Sequence, residues 1–170
     1  PLDRHLVFRH AAQEDLEGFV ASVDPAAMRT YLKANIAGRA TVMQQVARSM
    51  LTSRFGRMVH VSSLAAERAN PGQGFYAASK LAAEALYKNM GVELAARGIT
   101  TVSLRPGYVD AGRGRDYLDK HARAALGNVP LGRALSSREV VDTIAFLLCD
   151  SAVGINAAAI TMDGGMAAAK

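Results

Sequence analysis

Cysteine occurs once in the 170 residues, at Cys149, and tryptophan not at all. A lone cysteine excludes an internal disulfide and suits a reducing compartment, so a cytoplasmic location is expected. Long hydrophobic runs are also missing. The richest, Ile144-Ala145-Phe146-Leu147-Leu148-Cys149, is far short of a bilayer span and is a piece of an amphipathic helix, so no membrane partner is expected. The opening residues, Pro1-Leu2-Asp3-Arg4-His5, lack the basic and apolar regions of a signal peptide. The formal net charge is +5, but the basic residues are scattered and carry no lysine- or arginine-rich run with interleaved aromatics. Nucleic acid is therefore not an expected partner, and no metal site is expected either.

What is present is a globular composition, half hydrophobic, sufficient for one sizeable core. Leu6-Val7-Phe8 has the character of a short buried strand. Asp24-Pro25 is a helix start, aspartate as cap and proline at the first helical position, and apolar residues recur at helical spacing to about Ser53. Arg57-Met58-Val59-His60-Val61-Ser62 predicts a strand ending in a small-residue loop. A second long helix is expected over residues 76–97, stopped by Gly98. Ile99-Thr100-Thr101-Val102-Ser103-Leu104 is a β-branched strand broken by Pro106-Gly107. Residues 112–128 are charged, a mobile loop or short helix. Ser136-Ser137-Arg138-Glu139 is a capping box opening a helix that ends near Cys149. Ala158-Ala159-Ile160-Thr161-Met162 is the last strand. Four strands alternating with helices predict an α/β fold with a parallel sheet, as one domain or part of one over residues 1–170.

The residues that can carry chemistry cluster around Tyr76-Ala77-Ala78-Ser79-Lys80. Tyrosine and lysine four apart share one helical face, and an ammonium near a phenol favours the phenolate. Such a pair can protonate a carbonyl or deprotonate an alcohol. Taken alone, the spacing is as well explained by chance. Upstream, Ser63 stands at the carboxyl end of a predicted strand, where ligands bind in parallel α/β sheets. Asn35 interrupts the first long helix, either as an exposed asparagine or as a local break that organises water. Ser62 is expected to be structural, since alternation turns it away from its neighbour.

The order Asn35, Ser63, Tyr76, Lys80, with Asn70-Pro71-Gly72-Gln73-Gly74-Phe75 beside it, resembles the short-chain dehydrogenase/reductase family. Within that family the likeness is greatest to the bacterial 3-oxoacyl-(acyl-carrier-protein) reductases. Arg105-Pro106-Gly107-Tyr108-Val109, Val129-Pro130-Leu131-Gly132-Arg133 and Ile160-Thr161-Met162-Asp163-Gly164-Gly165-Met166 match further family segments in order. The resemblance implies a Rossmann-like doubly wound sheet and hydride transfer between NADP or NAD and a small carbonyl substrate, such as a 3-oxoacyl thioester. It implies Tyr76 as proton donor, Lys80 on the phenol and the nicotinamide ribose, Ser63 on the substrate oxygen, and Asn35 holding a water behind Lys80. Pro106, Gly107 and Val109 would pack against the nicotinamide. Arg54 and Arg97 would contact an acidic acyl carrier protein, or are simply helix-end arginines. Residues 112–128 would form the substrate loop, and the two long helices would pair in a homo-oligomer, a dimer or tetramer.

The family's first βαβαβα portion, with its glycine-rich pyrophosphate turn, has no counterpart here, and an upstream segment or partner chain is expected to complete the cofactor site. The turn after the first strand reads Arg9-His10-Ala11-Ala12 where the family has Asn-Asn-Ala-Gly, and Ala111 stands where a threonine is usual. Both departures weigh on nicotinamide binding more than on proton transfer. The alternative expectation is a catalytically inactive subunit serving assembly with a homologous partner.

Overall fold

The computed structural model describes residues 16–169. The strand expected at Leu6-Val7-Phe8 and the turn at Arg9-His10-Ala11-Ala12 lie outside the described residues. Over the rest, helices and strands alternate as expected. Helix α1 (Pro25–Leu32) runs through a π-helical segment (Lys33–Gly38) into α2 (Arg39–Ser53). Strand β1 (Gly56–Val61) and a 3-10 turn (Leu64–Ala66) lead to α3 (Gly74–Leu94), then to β2 (Ile99–Pro106). Helices α4 (Arg113–Leu126) and α5 (Ser137–Leu148) precede β3 (Ala158–Met162).

The start signals hold in detail. Asp24 accepts from the Ala27 amide at 2.8 Å, with proline following it into the helix. Ser136 and Glu139 form the reciprocal capping box that opens α5. The helix expected to be continuous over residues 24–53 is instead widened at residues 33–38. Residues 112–128, read as a loop or a short helix, are mostly α4, with non-helical backbone at His121.

The three described strands form a parallel sheet in the order β1-β2-β3. Strand β2 is central, and its near-continuous burial explains its β-branched run. Alternation along the strands sends side chains to two cores. Met58 and Ile99 join Met43, Met50, Tyr87, Met90 and Leu94 under α2 and α3. Val102, Leu104, Val59 and Ile160 meet Val140, Ile144 and Leu147 of α5 on the opposite face.

Two glycines set the spacing of α3 on the sheet. Gly98 has φ +76°, which lets the chain leave the helix and enter β2 while passing the Arg54 carbonyl. Gly91 lies where α3 crosses β2, and a Cβ there would come within 2.5 Å of Thr101 Oγ1 and 2.7 Å of Asn156 Oδ1. Both atoms are already engaged, Thr101 Oγ1 with the Tyr87 carbonyl and Asn156 with the Thr101 amide and Gly91 carbonyl. Gly91→Ala is therefore expected to lower stability by about 1–3 kcal/mol through forced separation of helix and sheet. Urea unfolding of the two proteins measures it.

Candidate active site

The carboxyl ends of β1 and β2 lie side by side, Val61 opposite Leu104, and the chemistry-bearing residues gather there. Ser63 follows β1 in extended conformation and caps the 3-10 turn, its Oγ accepting from the Ala65 amide at 3.2 Å. Accepting that bond leaves the hydroxyl hydrogen free to be donated elsewhere. Tyr76 and Lys80 occupy the first two turns of α3, with the lysine ammonium 5.5 Å from the centre of the tyrosine ring. Lys80 is only 9% exposed and donates to the Val61 carbonyl at 2.9 Å. This bond runs from α3 to the last residue of β1, so Lys80 and Tyr76 are held at the same strand tip that Ser63 extends.

Asn35 is wholly buried within the π-helical segment, which disposes of the exposed alternative. Its Nδ2 donates to the Tyr31 carbonyl at 3.1 Å, and its Oδ1 accepts from Arg39 Nη2 at 3.1 Å. Tyr31 in turn lies 3.5 Å, hydroxyl to hydroxyl, from Ser79, whose Oγ donates to the Tyr76 carbonyl at 2.8 Å. The segment Asn35–Tyr31–Ser79 thus backs the Tyr76-to-Lys80 turn.

Ser62 points away from Ser63, as alternation requires, and donates to Glu84 Oε1 at 2.5 Å. Glu84 also takes two bonds from Arg105, Nε at 2.9 Å and Nη2 at 2.6 Å. Burial pushes the Glu84 carboxyl up, but the hydrogen bonds from Arg105 and Ser62 outweigh it and hold the group below its ordinary value. Arg105 Nη1 and Thr161 Oγ1 both donate to Glu67 Oε2 at 2.9 Å, so β2, β3 and α3 are fastened just below the site. Neither Glu84 nor Arg39 stood out in the sequence. A glutamate one turn beyond Lys80 on the same helix face is the signal that could have found the first.

Pro106 ends β2, and the Gly107 amide donates to the Met162 carbonyl at 2.9 Å. Val109 bridges to Leu135, while Tyr108 stacks on Tyr117 of α4 at 5.8 Å. These residues lie at the same carboxyl edge of the sheet. Arg54 and Arg97 do not. They are exposed at the opposite edge, just before β1 and β2 begin, where Gly98 packs on the Arg54 backbone. They are brought to each other but not to Ser63. Among the described residues no group of three or more histidine, cysteine or carboxylate side chains could hold a metal, and no helix is long and apolar enough to cross a membrane.

Lys80 and His60 carry the largest electrostatic consequences of burial here. Burial, then the charge of Arg39, lowers Lys80 to about 8, against a smaller opposing effect of Glu84. His60, 8% exposed and 5.1 Å from the Tyr87 ring, is lowered to about 3 by burial, then by Lys80 and Arg39. His60 is therefore neutral in the fold at any pH where the unfolded chain begins to protonate it. Its contribution to stability is complete above about 6.5 and is lost as pH falls toward 3. The unfolding free energy is expected to drop by about 2 kcal/mol more between pH 7 and pH 5 in this protein than in His60→Asn. Urea titrations of both at the two pH values decide it, and parallel losses would count against the assignment.

A family profile described as Enoyl-(Acyl carrier protein) reductase matches residues 5–167. The 3-oxoacyl-(acyl-carrier-protein) reductase FabG of Pseudomonas aeruginosa is 32% identical over 121 residues, 71% of this chain and 49% of that protein. FabG of Haemophilus influenzae is 34% identical over 119 residues, 70% of this chain and 49% of that protein. The chain spans about half the length of the curated relatives it matches. Among solved structures, a gluconate 5-dehydrogenase from Burkholderia cenocepacia in complex with NADP and tartrate superposes with a TM-score of 0.85. It is 28% identical, and the match covers 91% of this chain and 61% of that one.

Proposed function

The chain belongs to the short-chain dehydrogenase/reductase family, and from that premise we propose that it forms the proton-transfer half of an NAD(P)-dependent oxidoreductase whose Tyr76 protonates the oxygen of a ketone, a 3-oxoacyl thioester or similar carbonyl. The observation that carries the proposal is the bond from Lys80 to the Val61 carbonyl, which ties the turn bearing Tyr76 to the end of β1, two residues before Ser63. A reduced nicotinamide, when bound, supplies the hydride.

The donor set fits such a cofactor. An ammonium has three N–H groups. Val61 takes one from Lys80, leaving donors for the hydroxyls of a ribose. Pro106, Gly107 and Val109, at the end of β2, would flank the nicotinamide. Ser63 donates its free hydroxyl hydrogen to the substrate oxygen and stabilises the charge that develops there. Tyr76 delivers its proton to the same oxygen, and the positive charge of Lys80 favours the phenolate left behind. Asn35 orders the backbone behind this turn through Tyr31. The similarity to FabG proteins and to a dehydrogenase solved with NADP supports NADP or NAD as cofactor.

Arg54 and Arg97 would serve an acidic carrier docked at the far edge of the sheet. Six residues of strand at ~3.3 Å each put that edge ~20 Å from Ser63, so the substrate would need a long tether to reach a site. Exposed apolar residues on α2 and α3, among them Leu51, Leu81, Leu86 and Val92, favour a homo-oligomer formed through these helices.

Tyr76→Phe is expected to cut turnover of an acetoacetyl thioester by about 10²–10⁴-fold while leaving NADPH fluorescence titrations nearly unchanged. Lost binding would mean that the tyrosine builds the cofactor site instead. No NADPH or NADH binding by the wild-type protein would favour the reading as an inactive assembly subunit. Replacing both Arg54 and Arg97 with glutamate is expected to raise KM for a carrier-bound substrate and leave the free thioester unaffected.

A further inference from the structure

The 3-10 turn after β1 has Ser63 at its start and Glu67 at its end, and one circuit of side chains holds the chain on either side of it. On the near side the Ser62 hydroxyl donates to Glu84 Oε1 at 2.5 Å. Glu84 accepts Arg105 Nε at 2.9 Å and Nη2 at 2.6 Å, and Arg105 Nη1 reaches Glu67 Oε2 at 2.9 Å. The circuit therefore leaves the backbone one residue before Ser63 and returns where the turn closes. Ser62 is 4% exposed and Glu84 8%, so little water competes for the bond between them. Arg105 holds Glu84 as a carboxylate, which accepts and does not donate. The direction of the bond is thus fixed: Ser62 must donate, and its rotamer follows Glu84.

We propose that Glu84 is a positioning residue that acts through Ser62 to aim the hydroxyl of Ser63. The inference deepens the reading of Ser63 as donor to a substrate oxygen and rests on it. A strand tip pinned at one point can still rotate about that point. Here Val61 is pinned through its carbonyl to Lys80 at 2.9 Å, and Ser62 through its hydroxyl to Glu84, one turn further along the same buried face of α3. The Ser62 amide also donates to the Leu104 carbonyl at 2.7 Å, so β2 holds the same residue. With these bonds made, the chain enters Ser63 extended, and Ser63 Oγ accepts from the Ala65 amide at 3.2 Å. That contact leaves the hydroxyl hydrogen for a substrate. Without the Ser62–Glu84 bond the Val61 pin becomes a pivot, and the Ser63 side chain gains room to swing off Ala65.

The network has an outer arm that bears differently on Ser63. Thr161 Oγ1 also donates to Glu67 Oε2 at 2.9 Å, but Glu67 keeps its bond from Arg105 without it. Losing the Thr161 hydroxyl loosens β3 and leaves the circuit around the turn closed. Replacing Glu84 would strip Arg105 of its pair, whereas removing the Ser62 hydroxyl cuts only the link to the strand tip.

The test compares Ser62→Ala with Thr161→Ala in the full chain by amide hydrogen exchange and by kinetics. The Ala65 amide, which donates to Ser63 Oγ, reports the aim of the serine, and the buried amides of β2 report overall stability. Ser62→Ala is expected to speed exchange at Ala65 by about 5-fold relative to the β2 amides. Thr161→Ala is expected to leave that ratio unchanged. With an acetoacetyl thioester, Ser62→Ala should lower kcat by roughly 10-fold while the NADPH fluorescence titration stays as in wild type. An unchanged ratio at Ala65 in Ser62→Ala overturns the proposal, as does an equal rise in Thr161→Ala or a wild-type kcat in Ser62→Ala. If Ser62→Ala does not fold, Ser62→Cys, which puts a weak donor in the same place, is read in the same way. The exchange ratio is measured without substrate, so a wild-type protein that turns nothing over would count against the catalytic reading and leave the ratio to decide.

Discussion

The ammonium of Lys80 donates to the carbonyl of Val61, and the arrangement of the site depends on that bond. It joins the second turn of α3 to the last residue of β1, two elements that the sheet pairing alone does not align. Below it, Ser62, Glu84, Arg105, Glu67 and Thr161 form a continuous chain of hydrogen bonds across β1, α3, β2 and β3. The paired Arg105–Glu84 contact is bidentate, and fork-on-carboxylate geometry fixes direction as well as distance. Helix α3 is held along its length as well, since Gly91 lets it settle directly on Thr101 and Asn156. Tyr76 therefore stands on a support with little freedom to tilt.

The electrostatics follow from the same packing. A lysine 9% exposed, with a guanidinium nearby and its closest carboxylate shared with Arg105, pays for its charge in desolvation. His60 meets the same conditions and stays neutral.

Much of the framework was legible from local signals. Asp24-Pro25 and the Ser136–Glu139 box act through backbone groups within a few residues, so their meaning does not depend on the rest of the fold. Strand β2 declared itself through a β-branched run broken by Pro106-Gly107, β3 through a short run closed by Asp163-Gly164-Gly165, and β1 through a run that ends in a small-residue loop. The placement of Ser62 away from Ser63 followed from strand alternation. The π-helical turn was not legible, because an asparagine in a helix signals only a weak preference and not how the helix will accommodate it. Helix α4 was obscured by its charge and by glycines at its start, while Leu118 and Ala125 anchor it by burial that only the fold supplies. Arg39 had the look of one more exposed arginine among many. Its inward turn onto the Asn35 carboxamide comes directly after the widened segment of the helix, which only the fold reveals. The place of Arg54 and Arg97 at the far end of the sheet from Ser63 became apparent only when both were seen to precede their strands.

The central claim is that Ser63 and Tyr76 act on one substrate oxygen while Lys80 supports the tyrosine and holds the cofactor ribose. A crystal structure of the protein with an oxidised nicotinamide cofactor and a ketone or alcohol ligand addresses it most directly. The account requires the ligand oxygen within hydrogen-bonding distance of both Ser63 Oγ and the Tyr76 hydroxyl, with Lys80 on the cofactor ribose. A ligand oxygen bound elsewhere, with these two hydroxyls turned to solvent, would contradict it.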